Sequence, residues 1–568
     1  MLRRTLGVGI PGSGPIVQHL VLWVGFLGAA IAARDGKLLA LASGTFIPEG
    51  RWRRVADVFA AAAASSVATL LAAGALELVR SERDAGTMIG AGIPAWVAQL
   101  TLPVAFAFIA GRLVWRAGPG WVHRAVAATG LVAATLLIRF PHMIEGRPAW
   151  PELTVIGLAA VVGAPIFAIL GGAAVVLFMS AGVTPATVLV ETYALSVSPT
   201  LPAIPLFTMA GFVLAEGGAS ARLLRVFRAW FGWIPGGTAV VCAFLCSFFT
   251  VFTGGSGVTI LALGGVLFPA LLKDGYRERF SLGLMTAAGS LGLLLPPALP
   301  LILYGVVAQI PIEDLFIGGI LPGLLLTVMI AAWGVREGLV SGAGRQGFAF
   351  KEGLSSIWDA KWELAMPFVV LGAMFSGFAT AVEASALVAV YALVAQTTIH
   401  RDLSIRHDLL RVLTECAVVV GGVLVILGVA VGFTNYLVGA QIPARMLEWS
   451  QHHIESLLVF LLALNVFLLA VGWLMEIFAA IVVVVPLILP LGAAFGIHPV
   501  HLGIIFIANL ELGFLTPLVG INIFLASYRF QRPVLEVARA ALPMMAILGI
   551  GVLLITYLPW LTLVFLER

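Results

Sequence analysis

Apolar runs long enough to cross a membrane recur from one end of the sequence to the other. They lie near 16–33, 55–79, 93–114 and 122–138, and further runs, among them 153–179 and 364–396, continue to 566. A membrane about 30 Å thick is crossed by roughly 20 apolar helical residues. With 61% hydrophobic and 11% charged residues, the chain has too little charge to cover a soluble surface. Because the runs are continuous rather than alternating, they predict an all-α integral membrane protein and not a barrel.

Composition and isolated motifs argue against several other classes of protein. The formal net charge of +4 gives no reason to expect a nucleic-acid partner. Cys242, Cys246 and Cys416 lie in apolar segments and are typical of small packing residues. No catalytic triad, phosphate loop or metal-ligand spacing stands out, so we expect no enzymatic activity. Residues 1–14 lack the apolar run of a signal peptide, so we expect no removable leader.

Two of the runs are too long for one span and are interrupted near their middles. The run 237–273 is cut at Thr253 to Gly257, and the run 455–494 is cut at Gly472 and Met475-Glu476. Glycine exposes backbone and relaxes helix geometry. Irregular backbone at membrane depth is tolerated only where protein buries it or where it lines a cavity. Each run therefore predicts a re-entrant helical hairpin with a buried tip.

Each predicted hairpin is followed by a span with proline in its middle. Pro296-Pro297 interrupts the run 281–308, and Thr516-Pro517 interrupts the run 500–527. Proline removes a backbone donor and clashes with the preceding turn, so both helices are expected to unwind there.

The two regions align with one another at an offset of 221 residues. The matched breaker residues are Pro269 with Pro490, Gly275 with Gly496, Gly292 with Gly513, and Pro296 with Pro517. Paired interrupted helices in two halves of a chain indicate the binding site of an inverted-repeat transporter. Unwound helices leave carbonyl groups free for a cation, and half-helix N-termini can face an anion.

The candidate sodium-binding residues are the polar and breaker residues at the two tips and the two breaks. They are Thr253, Gly254, Ser256, Thr259, Ser290 and Pro296 in the first half, and Gly513, Thr516 and Pro517 in the second. Sodium is a hard cation and prefers carbonyl and hydroxyl oxygens. A single hydroxyl in a helix more commonly bonds to the carbonyl four residues earlier. The prediction therefore depends on the clustering of these residues at paired breaks.

Other polar residues near the tips and breaks are candidates for the substrate or for support of the site. The substrate-binding candidates are Gly255, Asn509, Asn522 and Glu476. Glu511 and Glu383 are candidates for supporting or structural roles, because charge inside a membrane is costly and indicates function. For Glu511, a functional role and a structural hydrogen bond that fixes the broken helix both remain open.

The ordered motifs resemble those of tripartite ATP-independent periplasmic (TRAP) transporters. The large membrane subunit of that family is similar to the segments Phe207-Thr-Met-Ala-Gly-Phe, Trp233-Ile-Pro-Gly-Gly, Thr253-Gly-Gly-Ser-Gly-Val-Thr, Gly292-Leu-Leu-Leu-Pro-Pro and Gly513-Phe-Leu-Thr-Pro-Leu-Val-Gly-Ile-Asn. The resemblance covers essentially all of 153–566. The segment Leu22-Trp-Val-Gly-Phe-Leu-Gly resembles the small membrane subunit. Three positions depart from the family pattern: Ala298 stands in place of Ser, Leu518 in place of Pro, and Ala381 in place of Pro.

The resemblance implies a natural fusion of both membrane subunits. Residues 1–120 would be a small-subunit-like module, 121–151 a connecting helix and linker, and 152–568 a large-subunit-like transport module. The family further implies a bacterial inner-membrane protein that takes up a small organic anion, a carboxylate or sugar acid, driven by sodium. A periplasmic substrate-binding protein would deliver that anion, and an elevator motion would carry it across the lipid bilayer.

Two alternative functions remain in view. The first is a stand-alone inverted-repeat carrier, either a sodium/carboxylate symporter or an ion antiporter, which the additional N-terminal module disfavours. The second is a membrane-embedded enzyme acting on lipid, which would need a polar catalytic set that the sequence does not display.

Overall fold

The computed structural model describes residues 12–40, 44, 47, 50–89, 92–343, 347–516 and 520–566. Within these residues the chain is helical apart from turns and one short antiparallel strand pair, β1 (Met88–Ile89) with β2 (Ile93–Pro94). Eleven helices of the described part are long and apolar enough to cross a membrane. The prediction of an all-α, multi-span membrane protein is confirmed.

The chain forms two compact units, of which unit 1 comprises Met1–Pro205, Thr414–Met446 and Val482–Leu487. The first eight helices, all in unit 1, are α1 (Ser13–Asp35), α2 (Arg51–Ala85), α3 (Ala95–Gln99), α4 (Thr101–Arg116), α5 (Trp121–Arg139), α6 (Trp150–Val161), α7 (Ile166–Ser180) and α8 (Ala186–Ser196). The helix α2 is 35 residues long, and α4, α5, α7 and α8 pack against it. Many of its buried positions are alanine, which lets neighbouring helices approach closely.

Unit 2 comprises Leu206–Leu413, Leu447–Ile481 and Ile488–Arg568. The remaining helices of the chain, in order, are α9 (Ala203–Glu216), α10 (Ala219–Phe231), α11 (Gly237–Thr253), α12 (Ser256–Lys273), α13 (Glu278–Ala288), α14 (Leu299–Ala308), α15 (Ile312–Ser341), α16 (Phe350–Asp359), α17 (Lys361–Phe375), α18 (Ala381–Val394), α19 (Leu409–Gly439), α20 (Ile442–His453), α21 (Leu457–Leu474), α22 (Ile477–Ala494), α23 (Pro499–Gly513), α24 (Ile521–Phe530), α25 (Val534–Tyr557) and α26 (Trp560–Leu563). A five-residue π-helix, Ala395–Ile399, extends α18.

Two runs that the sequence predicts as single spans are each divided into two helices. The run 153–179 forms α6 and α7, which are separated at Gly163, a residue with a left-handed φ of 92°. The run 364–396 forms α17 and α18, which are separated at Gly377, with a φ of 67°. Both divisions fall at a glycine inside an apolar run, so hydropathy alone did not reveal them.

The predicted connecting helix at 122–138 is present as α5, and most of its surface is exposed. Val122, Val126, Val132 and Leu136 are all exposed apolar residues on this helix. Apolar side chains left exposed on a helix of this length are suited to contact with lipid. The module boundary at 121–151 stays a prediction.

Close helix packing in unit 1 depends on Gly28 in α1. A Cβ atom placed on Gly28 would meet the backbone oxygen of Ala417 and lie 2.9 Å from its carbonyl carbon. Because a backbone atom of the segment 414–446 occupies that space, a side chain at position 28 would force the two segments apart.

We therefore expect Gly28→Ala to lower the thermal unfolding temperature of the purified protein, since overpacking costs about 1–3 kcal/mol. Gly111→Ala in α4 is the matched control, because no atom lies within 4 Å of a Cβ placed there. The control should unfold at the wild-type temperature or slightly above it. Equal unfolding temperatures for the two variants would contradict this packing.

Candidate cation and substrate site

The first hairpin is formed by α11 and α12, and its tip is Gly254-Gly255. Gly254 has a left-handed φ of 65°, and its N–H donates to the carbonyl of Thr250 at 2.9 Å. Gly255 is extended and precedes the first residue of α12, Ser256. A left-handed residue without a side chain ends α11 and lets the chain reverse within two residues. The predicted hairpin is therefore present, with its tip at the predicted residues.

Three threonine hydroxyls cluster just inside this tip. The Oγ1 atom of Thr259 lies 2.8 Å from Oγ1 of Thr250 and 3.2 Å from Oγ1 of Thr253. All three residues are buried, with at most 3% of their surface exposed. The sequence identified Thr253 and Thr259 but missed Thr250. The spacing of Thr250 and Thr253, three residues apart on one helix face, would have pointed to it.

The first broken helix lies directly against this cluster. The Oγ1 atom of Thr250 lies 2.8 Å from the carbonyl oxygen of Gly289, just after α13 ends. A Cβ atom on Gly289 would lie 3.1 Å from the carbonyl oxygen of Ser256, which places the start of α12 at the same point. Hairpin tip and helix break thus meet through hydroxyl and carbonyl oxygens.

The break itself spans residues 289–298 and consists of successive turns before α14 begins. Ser290 is fully buried, and its hydroxyl donates to the carbonyl of Ala287 at 3.1 Å. Pro296 is buried, and a cis peptide bond joins it to Pro297. Ala298, which replaces the serine of the family pattern, is the N-cap of α14 and offers no side-chain oxygen to that helix.

The second hairpin, formed by α21 and α22, has its tip at Met475-Glu476. Both tip residues are extended, and an Oε2 atom of Glu476 accepts the N–H of Phe478 at 2.9 Å. A carboxylate at this place caps the first turn of α22 and interacts favourably with the helix dipole. Glu476, a substrate-binding candidate, therefore caps a helix at the tip.

The second broken helix starts as α23 and leaves the helical path after Gly513. The hydroxyl of Thr516 donates to the carbonyl of Gly513 at 2.6 Å, and the N–H of Gly520 donates to the carbonyl of Thr516 at 3.1 Å. A Cβ atom on Gly513 would lie 2.6 Å from the carbonyl carbon of Gly472, so the break lies against the second hairpin. Pro517, the predicted breaker, lies outside the described residues.

Asn509 is held by neighbouring helices through its side-chain amide. Its Nδ2 atom donates to Oδ1 of Asn465 at 2.7 Å and to the carbonyl of Ile505 at 2.9 Å. The hydroxyl of Thr556 donates to the same Asn465 oxygen at 3.1 Å. These bonds link α21, α23 and α25 and occupy both amide protons of Asn509, so its amide nitrogen serves packing in the structure.

Asn522 connects the two halves of the repeat. Its Nδ2 atom donates to the carbonyl of Thr286 in α13 at 3.2 Å, while its Oδ1 atom is buried with no hydrogen-bond partner among the described residues. In the other direction, the ring of Tyr304 in α14 packs on Gly503 in α23. The first arm of the first broken helix, α13, therefore contacts the second arm of the other, α24. The first arm of the second broken helix, α23, contacts α14 in the same way.

The structure shows the repeat in backbone conformation as well as in matched residues. Gly275 and Gly496, 221 residues apart, are both left-handed after the second arm of a hairpin. Gln309 and Gln531 are both left-handed after the second arm of a broken helix, and they are 222 residues apart. Between these two pairs of residues the second half is therefore one residue longer than the first, a difference that the alignment of breaker residues at a constant offset did not show.

The two glutamates predicted to support the site have different surroundings. Glu511 is 1% exposed, and neither carboxylate oxygen has a hydrogen-bond partner among the described residues. A buried carboxylate is costly unless a proton or a cation neutralises it. Glu383 instead forms a capping box with Thr380 at the start of α18 and is exposed. The structure brings Glu511 next to the second break and places Glu383 on a helix that contributes to neither hairpin.

The hydroxyl and carbonyl oxygens at the first tip and the first break are suited to binding a hard cation. Hydroxyl and backbone carbonyl oxygens are ligands for hard cations, whereas transition metals prefer imidazole and thiolate groups. In the described part of the chain, no group of three or more His, Cys, Asp or Glu side chains could hold a metal ion. The residues at this site therefore fit sodium better than a transition metal.

Two helical hairpins with two broken helices that cross each other define a multi-span helical transporter. The family model of the DctM component of tripartite ATP-independent periplasmic transporters matches residues 153–561, and that of the DctQ component matches residues 1–118. The chain belongs to the TRAP transporter family and contains both membrane components in one polypeptide. It is a multi-pass inner-membrane transport protein and not an enzyme.

Named relatives support this assignment. The isethionate TRAP transporter permease protein DctMQ of Oleidesulfovibrio alaskensis is 34% identical, over 83% of this chain and 75% of that protein. The C4-dicarboxylate TRAP transporter large permease proteins DctM of Vibrio cholerae and Pseudomonas aeruginosa are 30% and 33% identical, each over 64% of this chain and over 84% and 85% of their own lengths. Among solved structures, the alignment with the YdaH transporter of Alcanivorax borkumensis has 14% identity and a TM-score of 0.46. It covers 64% of this chain and 85% of the YdaH chain.

The contact between Thr250 and the first break can be tested by removing one hydroxyl. We expect Thr250→Val to destabilise the purified protein by about 1–3 kcal/mol, because it leaves buried oxygens without a partner. Thr135→Val is the matched control, since that exposed hydroxyl bonds to a carbonyl of its own helix. The thermal unfolding temperatures of Thr250→Val and Thr135→Val, measured in detergent, are compared with that of the wild type. An unfolding temperature for Thr250→Val equal to that of the control would contradict the role assigned to this hydroxyl.

Proposed function

We propose that the protein couples inward movement of sodium to uptake of a small organic anion delivered by a periplasmic substrate-binding protein. The observation that carries the sodium proposal is the oxygen cluster at the first tip. The buried hydroxyls of Thr250, Thr253 and Thr259 converge there with the carbonyl of Gly289. Sodium would be a transported ion. In the first half it would be held by Thr253, Gly254, Ser256, Thr259, Ser290 and Pro296.

The second half would contribute Gly513, Thr516 and Pro517 to sodium binding. Thr516 and Gly513 lie at the second break, against Gly472 of the second hairpin. Glu511 adds a buried carboxylate two residues before Gly513, and its two oxygens have no described partner. A cation near this break would lower the cost of that burial.

The substrate class follows from the family members rather than from one residue. The named relatives transport isethionate or C4-dicarboxylates, which are small organic anions. The N-terminus of α12, which follows Gly255, offers backbone N–H groups to such an anion. At the second tip the carboxylate of Glu476 already accepts the N–H of Phe478, so Glu476 would bind a donor group of the substrate and not its anionic group. The Oδ1 atom of Asn522, which lacks a described partner, is an acceptor and would bind a hydroxyl group of such a substrate.

The first test is uptake into proteoliposomes that contain the full chain. Uptake of a labelled organic anion should require an inward sodium gradient and the cognate binding protein, and should stop when choline replaces sodium. Ser256→Ala and Thr516→Ala should each raise the sodium concentration for half-maximal uptake about tenfold, because each removes one hard oxygen. Ser376→Ala, on an exposed turn, is the control. Wild-type sodium dependence in both site variants would contradict the assignment of these residues.

We further propose that transport uses an elevator motion, in which the hairpins and broken helices move together with the bound ligands. The contacts between the first hairpin, both breaks and the arms of the two broken helices favour movement as one body.

A single cysteine at the first tip tests this motion. The native Cys242, Cys246 and Cys416 are buried, so they give little background labelling. Val258→Cys, near the tip, should react with a membrane-impermeant thiol reagent from one side in sodium, and from the other side when sodium and substrate are both present. Trp358→Cys, on the exposed helix α16, should react from one side throughout. Labelling of Val258→Cys from a single side under all conditions would contradict the elevator.

A further inference from the structure

A cleft between α2 and α5 in unit 1 is apolar along its length and basic at one end. Its volume is about 520 Å³. Val55, Val58 and Phe59 line it on α2, and Val122 and Val126 line it on α5. These positions recur every three or four residues, so each helix presents one continuous apolar face to the cleft.

The inner end of this cleft is closed by a close helix contact. A Cβ atom on Gly130 in α5 would lie 2.9 Å from the carbonyl carbon of Ala62 and 2.8 Å from Oγ of Ser65 in α2. The hydroxyl of Ser65 also donates to the carbonyl of Ala127 at 3.4 Å. The cleft therefore extends from this contact toward the N-terminal ends of both helices. From Ala62 to Arg54 it is about 12 Å long at 1.5 Å per residue.

Basic side chains line the open end. Arg51, Arg54 and His123 lie there. In the described part of the chain, neither arginine is within ion-pair distance of a carboxylate, and Nδ1 of His123 is buried without a hydrogen-bond partner. Arg53, which does not line the cleft, is already paired with Asp57 at 3.2 Å. Arg54 donates to the carbonyl of Gly50 at 3.4 Å and Arg51 lies over the ring of Trp52, but no described carboxylate neutralises either charge. The two cations therefore suit an anionic ligand supplied from outside the described protein.

The basic end of the cleft lies at the membrane interface. Three exposed tryptophans lie there: Trp52, Trp115 and Trp121, which are 68%, 58% and 79% exposed. Tryptophan is enriched at the depth of the lipid headgroups. Arg112 and Arg116 donate to the carbonyl of Arg34 at 3.1 and 2.8 Å, which places the ends of α1 and α4 at the same level. By the positive-inside rule we assign this arginine-rich end to the cytoplasmic side, where the leaflet carries anionic lipid.

We propose that the cleft binds an anionic phospholipid of the cytoplasmic leaflet. Its phosphate lies between Arg51 and Arg54, and one acyl chain lies along Val55, Val58 and Val126. The charge of the open end, the apolar walls and the depth marked by tryptophan all match this one ligand. A second copy of the chain would have to place acidic side chains against the two arginines. An anionic lipid carries the required negative charge in its headgroup.

Native mass spectrometry of the full chain tests the proposal with two lipids of identical acyl chains, phosphatidylglycerol and phosphatidylcholine. The wild type should retain phosphatidylglycerol in preference to phosphatidylcholine. The double variant Arg51→Gln/Arg54→Gln should bind phosphatidylglycerol about tenfold more weakly. Arg124 stacks over the ring of Trp115 at 4.1 Å and, like Arg53, does not line the cleft. The double variant Arg53→Gln/Arg124→Gln therefore removes the same charge outside the cleft and should bind as the wild type does.

Val126→Trp fills the apolar part without changing charge, and it should also lose phosphatidylglycerol. Unchanged binding in Arg51→Gln/Arg54→Gln or in Val126→Trp would overturn the proposal, as would equal retention of phosphatidylcholine. A change of oligomeric state in Val126→Trp with unchanged lipid binding would instead identify the cleft as a contact between copies, and would also overturn it. Because the readout is lipid binding, the result is independent of sodium-coupled uptake.

Discussion

The contact between the first hairpin and the first broken helix organises the transport site. Thr250 reaches the carbonyl of Gly289 in the break and the hydroxyl of Thr259 in the other arm. One side chain thus joins both arms of the first hairpin to the first break. Buried polar groups are costly when unpaired, so this contact can persist at membrane depth only because each oxygen finds a partner. A cation that enters such a cluster exchanges its water for oxygens that are already in place.

The two halves of the repeat depend on each other through the broken helices. Asn522 bonds to Thr286, and Tyr304 packs on Gly503, so each half supplies contacts to the other. An ion that changes the packing of one break on binding would therefore also change the packing of the other. The arms of each broken helix are thus packed against the other half of the repeat, which buries irregular backbone within protein as membrane depth requires.

Much of this architecture could be predicted from glycine and proline. Gly254 and the Pro296-Pro297 pair indicated the first hairpin and the first break, because glycine permits the left-handed turn that ends a helix and two consecutive prolines remove two backbone donors. The division of 153–179 at Gly163 was missed, since hydropathy does not distinguish one long helix from two short ones. The bonding of Asn509 to Asn465 could not be predicted either, because it depends on how α21 and α23 pack in three dimensions. The sodium and substrate assignments of individual residues stay predictions.

Sodium binding by the hydroxyls of Thr250, Thr253 and Thr259 and the carbonyl of Gly289 is tested most directly by sodium-dependent stability. A ligand that binds only the folded state stabilises it, by about 2.7 kcal/mol at 100 times its Kd. The thermal unfolding temperature of the purified wild type should rise with sodium chloride and not with choline chloride at equal ionic strength. Thr259→Ala should unfold at a temperature that depends less on sodium. Identical unfolding temperatures in the two salts for the wild type would contradict sodium binding at this site.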